Sequence, residues 1–459
     1  MRRLACPSLA LLLAACATSG DAPAPALMMP PAYAESAAAD AAVPALEWWA
    51  AFASPELSAL VTAALAANPD LAMAAERVRQ AEAQVRFADA TLFPAVNLGA
   101  SASHNETHVD GGDWQSRNAS GATLSASYEV DLWGKNASGV RSAEASLRAS
   151  RYDQETVRLT LVAGVANGYF QLLSLRGRLG IARENLDIAL RVFTVVDSRV
   201  RNGAASKLDL ARQQAAVLTQ RAAIPPLELQ ERQTLFALAI LLGRAPEGFA
   251  TAGLAISNLA VPRAASGLPA QLLTRRPDLA SAEAQLAAAN ANVAVARASL
   301  LPGIGLTGSA GLASDALLNI LNAPTATIAI GASLLMPIFD GGRLRSQVDV
   351  ATSRERELVQ NYRKTVLAAL ADVDSALAAG GRLAAQESLQ EELMRQLREA
   401  FRLAEIRYRE GADDLLTALD AQRSLFQAED QLAQIRLTRL QASLGLFKAL
   451  GGAWKMPER

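Results

Sequence analysis

One pattern occurs twice in this chain. Residues 68–103 and 276–311 align without gaps, share 15 identities and lie 208 residues apart. Each reads as an Ala-rich helix that stops at a proline, Pro94 or Pro302, and turns directly into an alternating strand. The offset persists further on, with Gly134, Gly203 and Gly243 recurring as Gly342, Gly411 and Gly451. A tandem duplication constrains the fold strongly, because one structural solution must serve both halves. It predicts a single pseudo-twofold body from the 459 residues, not a string of unlike domains.

The strands narrow the class. Val96, Leu98, Ala100 and Ala102 share one face, against Asn97, Gly99, Ser101 and Ser103. After a polar stretch at 104–117, read as a loop, Ala122, Leu124, Ala126, Tyr128, Val130 and Leu132 oppose Thr123, Ser125, Ser127, Glu129 and Asp131. The second half repeats the pair: Ile304, Leu306, Ala310 and Leu312 on one strand, then Ile328, Ile330, Ala332, Leu334, Met336 and Ile338 on the next. Period-two alternation over about ten residues exceeds the usual five or six of a soluble strand and matches a tilted bilayer crossing. Four strands cannot close a barrel, and lipid tolerates no open sheet edge, so other copies must complete the wall.

Between the strand pairs lie long helices. After Gly134 no strong breaker appears until Asn202-Gly203, a span on the order of 100 Å. A second helix is expected over 206–242, interrupted at Pro225-Pro226; the second half gives 343–409 and 413–450. Glycines 164, 168, 177 and 180 either bend the first helix or admit a close neighbour. These are helical hairpins in coiled-coil contact.

The N-terminus reads as a leader. Arg2 and Arg3 precede a short apolar core at 9–15, too short to span a membrane, giving a signal peptide over 1–15. Leu13-Ala14-Ala15-Cys16 matches the bacterial lipoprotein box, so Cys16 is the lipidation site unless this is an ordinary leader with an incidental cysteine. Ala17 favours export to the outer membrane. The only other cysteine, Cys6, leaves with the leader, so the mature chain has no disulfide. Residues 16–46 form an acylated, Ala/Pro-rich extended linker, and Trp48, Trp49 and Phe52 open the folded part. With 19% charged residues and a net charge of −1, no basic footprint for nucleic acid is present. No triad, phosphate loop, metal cluster or cofactor site stands out, so an enzyme is not expected.

Several segments, among them WWAAFASPELSALVTAALAANPDL, YEVDLWGKNASGVRSAEAS, RRPDLASAEAQLAAANANVAVARASLLPGIGLTGSAG, PIFDGGRLRSQV and YREGADDLLTALDAQRSLFQAEDQLAQ, resemble the TolC-type outer-membrane efflux proteins. The lipobox and the DLWGK and IFDGGRL turns point to the NodT-type lipoprotein branch. The resemblance covers residues 46–452. It implies an α+β membrane protein with repeats at 47–250 and 251–459. In a homotrimer, three chains would give four strands each to a 12-stranded barrel above a periplasmic tunnel of helical hairpins. Implied partners are a periplasmic adaptor and an inner-membrane transporter, with outer-membrane lipid held through Cys16.

The resemblance also supplies candidate sites. Asp420 and Arg423, three residues apart on one helix face, read by themselves as an exposed ion pair. In the family a matching Asp and Arg, with a leucine at Leu416, hold the periplasmic end closed. Arg212 stands where the second repeat has Asp420, so such a gate has three-fold symmetry. The tips Gly203-Ala204-Ala205-Ser206 and Gly411-Ala412-Asp413-Asp414 match adaptor-docking turns; alternatively they are plain helix–helix turns, with Asp413 and Asp414 as caps or an acidic rim. His104 and His108 are the only histidines and are placed in an outward polar loop. The expected function is passive small-molecule efflux through a gated duct. Rivals are type I protein secretion or metal efflux through the same fold, and a non-conducting envelope scaffold.

Overall fold

The computed structural model describes residues 29–35, 46–108, 110–253, 255–315, 324–452 and 454; Cys16, the lipobox and the leader lie outside them. In chain order the main elements are α1 (Pro55–Ala67), α2 (Pro69–Asp89), β1 (Ala95–Thr107), β2 (Gln115–Val130), α3 (Lys135–Arg201), α4 (Lys207–Leu241), α5 (Pro277–Ala298), β3 (Gly303–Ser314), β4 (Thr325–Leu335), α6 (Arg343–Arg409) and α7 (Leu415–Ala449). The duplication is kept to the residue in the long helices. Lys135 and Arg201 bound α3 as Arg343 and Arg409 bound α6; Lys207 and Leu241 bound α4 as Leu415 and Ala449 bound α7.

The reason is a shared stop signal. All four long helices end with a positive-φ glycine: Gly203, Gly243, Gly411 and Gly451. Ala204 N–H donates to Arg199 O, Arg244 to Ala239, Ala412 to Arg407 and Gly452 to Phe447, the six-to-one bond of a Schellman cap. Starts are equally explicit. Ser206 forms a capping box with Asp209, and Asp414 accepts from Thr417 N–H at 2.9 Å. Asp131 accepts from Asn136 and Ala137 N–H, and Asp340 from Gly342 and Leu344 N–H, at the strand-to-helix turns.

The described residues form two compact units. The first, Glu76–Arg151 with Ser281–Arg363, holds the strands and the helix segments next to them. The second, Met28–Ala75, Tyr152–Ala280 and Lys364–Arg459, holds the rest of the long helices. Each unit therefore takes material from both repeats. The second unit's core includes Phe52, Tyr169, Phe170, Leu172, Leu173, Leu175 and Leu238. Trp48 stacks on Phe447 at 5.4 Å. A Cβ at Gly164 or Gly168 would make ordinary van der Waals contact with Leu241 or Leu238 of α4, and one at Gly177 or Gly180 would meet nothing within 4 Å.

Two expectations are corrected. The two ends of the polar stretch 104–117 are strand: β1 runs to Thr107 and β2 starts at Gln115, with His104 opposite Asn118. The apolar alternation ends at Ala102 and Ala122, but the backbone ladder needs no apolar side chain to continue. Helix α4 runs uninterrupted through Pro225 and Pro226. Both prolines are exposed, as are Arg221 and Ala222, whose carbonyls lose their partners, so solvent can satisfy them. Within the linker, Ala34 N–H donates to Asp374 and Glu35 pairs with Arg382, both on α6.

Candidate functional site

The four strands make one antiparallel sheet in the order β1-β2-β3-β4. Its register places like with like across all four. Leu98 pairs with Leu124, Leu124 with Ala310 and Ala310 with Ile328. One residue along, Asn97 pairs with Ser125, Ser125 with Ser309 and Ser309 with Ala329. The sheet thus has an apolar face and a face of Ser, Thr, Gly and Asn, because side chains alternate with period two. The apolar face is uncovered: Leu98 is 77% exposed, Ile328 81% and Ile330 91%. An apolar surface of this extent is costly in water and suits lipid. Strands β1 and β4 are unpaired on their outer sides. Among the described residues no single helix is long and apolar enough to cross a membrane, although the bent pair Pro55–Ala67 and Pro69–Leu92 passes by length and composition.

His104 lies on the apolar face beyond its apolar part. Its Nδ1 is 2.7 Å from Asn118 Oδ1 and its Nε2 is 3.3 Å from Glu106 Oε1. His108 stacks on Trp114 at 5.0 Å. The two histidines face different partners, and no metal-binding group of His, Cys, Asp or Glu occurs among the described residues.

In the second unit, both tips are ordered by their own residues. Arg407 clamps Asp413 through two bonds of 2.7 and 3.0 Å, and Asp414 also accepts from Thr417 Oγ1 at 2.8 Å. The carboxyls respond accordingly. Hydrogen bonding to Arg407 holds Asp413 below the usual carboxylate range. Bonds from Thr417 do the same for Asp414, and bonds from Ser206 for Asp209. Arg199, near the end of α3, donates to Tyr408 O at 2.6 Å, and its guanidinium lies 4.9 Å from the Tyr408 ring centroid. This joins the two tips of one chain. Sequence reading missed it, although Arg199 and Arg407 are themselves 208 residues apart and could have been compared.

Leu416, Asp420 and Arg423 fall on the exposed side of α7, opposite the buried Leu415, Ala418, Gln422 and Leu425. Asp420 and Arg423 pair with each other at 2.9 Å, at side-chain exposures of 55% and 70%. Leu416 is 48% exposed. Arg212 in the first repeat is exposed as well. Within one chain the three second-repeat residues form a polar stripe flanked by a leucine, facing outward.

A family model described as outer membrane efflux protein matches residues 60–244 and 268–452. The pyoverdine export outer membrane protein OpmQ of Pseudomonas putida is 44% identical over 466 residues, covering 99% of this chain and 98% of its own. The CmeC outer membrane channel of Campylobacter jejuni shares the fold with a TM-score of 0.87 at 25% identity, over 95% of this chain and 96% of its own. The MtrE outer membrane channel of Neisseria gonorrhoeae, solved in an open state, gives 0.84 at 29% identity, over 94% and 99%. With each half of the duplication matched separately and a relative matched along almost its whole length, this chain belongs to the outer membrane efflux protein family, whose place is the Gram-negative outer membrane.

Proposed function

We propose that three copies of this chain close their sheets into one 12-stranded barrel and that their hairpins continue it as a tunnel for passive exit of small molecules. The single observation that carries this is the sheet itself, lipid-suited on one face, polar on the other, and unpaired at both edges. The polar face lines the lumen, and each free edge pairs with a neighbouring copy. The stripe of Leu416, Asp420 and Arg423 faces the axis and narrows the periplasmic end, where charge rings act as selectivity and closure devices. The tips at Gly203, Ala204, Ala205 and Ser206, and at Gly411, Ala412, Asp413 and Asp414, seat a periplasmic adaptor that couples the duct to an inner-membrane transporter. Cys16 carries the acyl anchor. The pyoverdine-exporting relative supports a small organic substrate over a polypeptide or a metal ion.

Planar-bilayer conductance of the purified trimer, beside Asp420→Ala/Arg423→Ala, tests this reading. An exposed pair contributes about 0.3–0.5 kcal/mol, so the double variant keeps its fold and stability. A small wild-type conductance that rises in the variant supports the gate. Equal conductance moves the gate elsewhere, and none from folded trimers of either form ends the conduit reading.

A further inference from the structure

Behind the stripe of Leu416, Asp420 and Arg423, helix α7 turns other side chains inward. There Leu415 and Ala418 pack with Val192 and Val196 of α3 and with Ala404 and Tyr408 of α6. A cavity of about 10 Å³ interrupts this packing, walled by Val192, Phe401 and Ala418, with Tyr408 and Gln422 also on its lining. Measured with a water-sized sphere, that is about the room one water molecule needs.

Two polar atoms at this cavity lack partners. The Tyr408 hydroxyl and Gln422 Nε2 are buried and make no hydrogen bond among the described residues. Tyr408 is 6% exposed and Gln422 4%. Arg199, whose charge lies over the Tyr408 ring, gives its hydrogen bond to the Tyr408 carbonyl and not to the hydroxyl. A buried polar atom without a partner is costly, and native structures rarely keep two in one place with nothing between them. Glu405, paired with Arg409 at 2.9 Å, supplies a third group on the same lining. The amide nitrogen only donates, so the occupant must accept, which excludes a bare cation. A water can accept from Gln422 Nε2, share a hydrogen bond with the Tyr408 hydroxyl and donate to Glu405. That meets the two to four partners a buried water takes.

The duplication shows that this feature is not a by-product of a helical hairpin. In the first repeat, Val200 stands where the second has Tyr408, and Gln214, at the position of Gln422, is exposed. The buried pair occurs only in the repeat that carries Asp420. We infer that the cavity is a binding site for one ordered water, which joins Tyr408 of α6 to Gln422 of α7. The helix turns that carry the stripe are then seated on a hydrated joint, not on a dry core. The link to conduction rests on the duct reading above; the water does not.

The test is a double-variant cycle in the purified full-length protein, with Tyr408→Phe, Gln422→Met and both together. Each single change removes one partner of the water and strands the other side chain, whereas both together leave two apolar groups with nothing to satisfy. Amide exchange of peptides covering 415–425 is expected to speed up about fivefold or more in each single variant and to return to within about twofold of the parent in the double. High-resolution crystals of the parent are expected to show density for a water within hydrogen-bonding reach of both groups. This second measurement needs no variant, so it decides the matter even where a variant fails to fold. Single variants that exchange no faster, or a double variant whose change is the product of the two, overturn the site. So does a cavity without density, or one in which the two side chains bond each other directly. Channel conductance is read in parallel. Open probability that rises in both single variants and returns in the double ties the joint to the stripe. The expected exchange pattern with unchanged conductance removes that link and leaves the water, while no conductance from the folded parent sinks the duct reading alone.

Discussion

Gly243 and Gly451 show what the duplication means at a single residue. Both have positive φ, and a Cβ at either would fall inside the carbonyl of the residue 176 positions before it, Ala67 or Arg275. The neighbouring positions also correspond: Asn68 donates to Leu241 O and Arg276 to Ala449 O, each covering the last carbonyls of a long helix. Gly203 has the same backbone conformation, yet a Cβ there meets nothing. Gly203→Ala is therefore expected to cost only the left-handed penalty, about 1–2 kcal/mol. Gly451→Ala adds a backbone collision, so its thermal midpoint should fall severalfold further; equal shifts would disprove the steric account. The tip carboxylates give a second expectation. Asp209, Asp413 and Asp414 are held below the usual aspartate range in the folded state. A depressed folded pKa adds stability above the unfolded value, and that stability is lost as pH falls through the folded value. Amide exchange at Ala412 and Thr417, corrected for intrinsic rates, should be flat from pH 8 to 5 and rise below about pH 4, in line with the unperturbed value. Asp413→Asn/Asp414→Asn should abolish the rise.

At the scale of the element, the sheet is legible in sequence because membrane strands repeat every two residues, and lipid enforces the pattern on one face. A charge on that face near mid-strand costs about 2–4 kcal/mol, whereas the opposite face carries polar groups already. Leu98→Arg should thus reduce the yield of heat-resistant assembled protein, and Ser101→Arg should leave the yield unchanged while shifting ion selectivity towards anions in bilayers. Where the pattern stops, so does the reading. His104 through Thr107 and Gln115 through Arg117 are polar on both faces, and only backbone pairing shows that they belong to strands. Helix α4 is the reverse case. Two prolines argue for a break, but no residue between Leu218 and Thr234 is fully buried, so the strained turns sit in solvent and the helix continues. Candidate residues fared unevenly for the same reason. Asp414 as a cap follows from its position before a helix start, while the Arg407–Asp413 clamp and the Arg199–Tyr408 contact depend on how helix ends meet in space.

For the whole molecule, the unpaired edges of β1 and β4 set the next expectation. Within one chain they are three strand spacings apart, about 14 Å. Cysteines at Ser101 and Ala329 should therefore bridge between copies with a short reagent, giving bands of two and three chains; bridging confined to single chains would refute barrel closure by neighbours. Sequence alone determined the duplication, the helix limits, the strand faces and the family, since each is written in local chemistry: a glycine that must turn left, a side chain that must face lipid, a proline that ends a helix. It could not determine that the chain would divide into two units drawing on both repeats, that Arg199 would close over Tyr408, or that residues 33–35 would seat on α6. Those depend on surfaces hundreds of residues apart meeting, and no local periodicity records which distant surface a polar side chain will find.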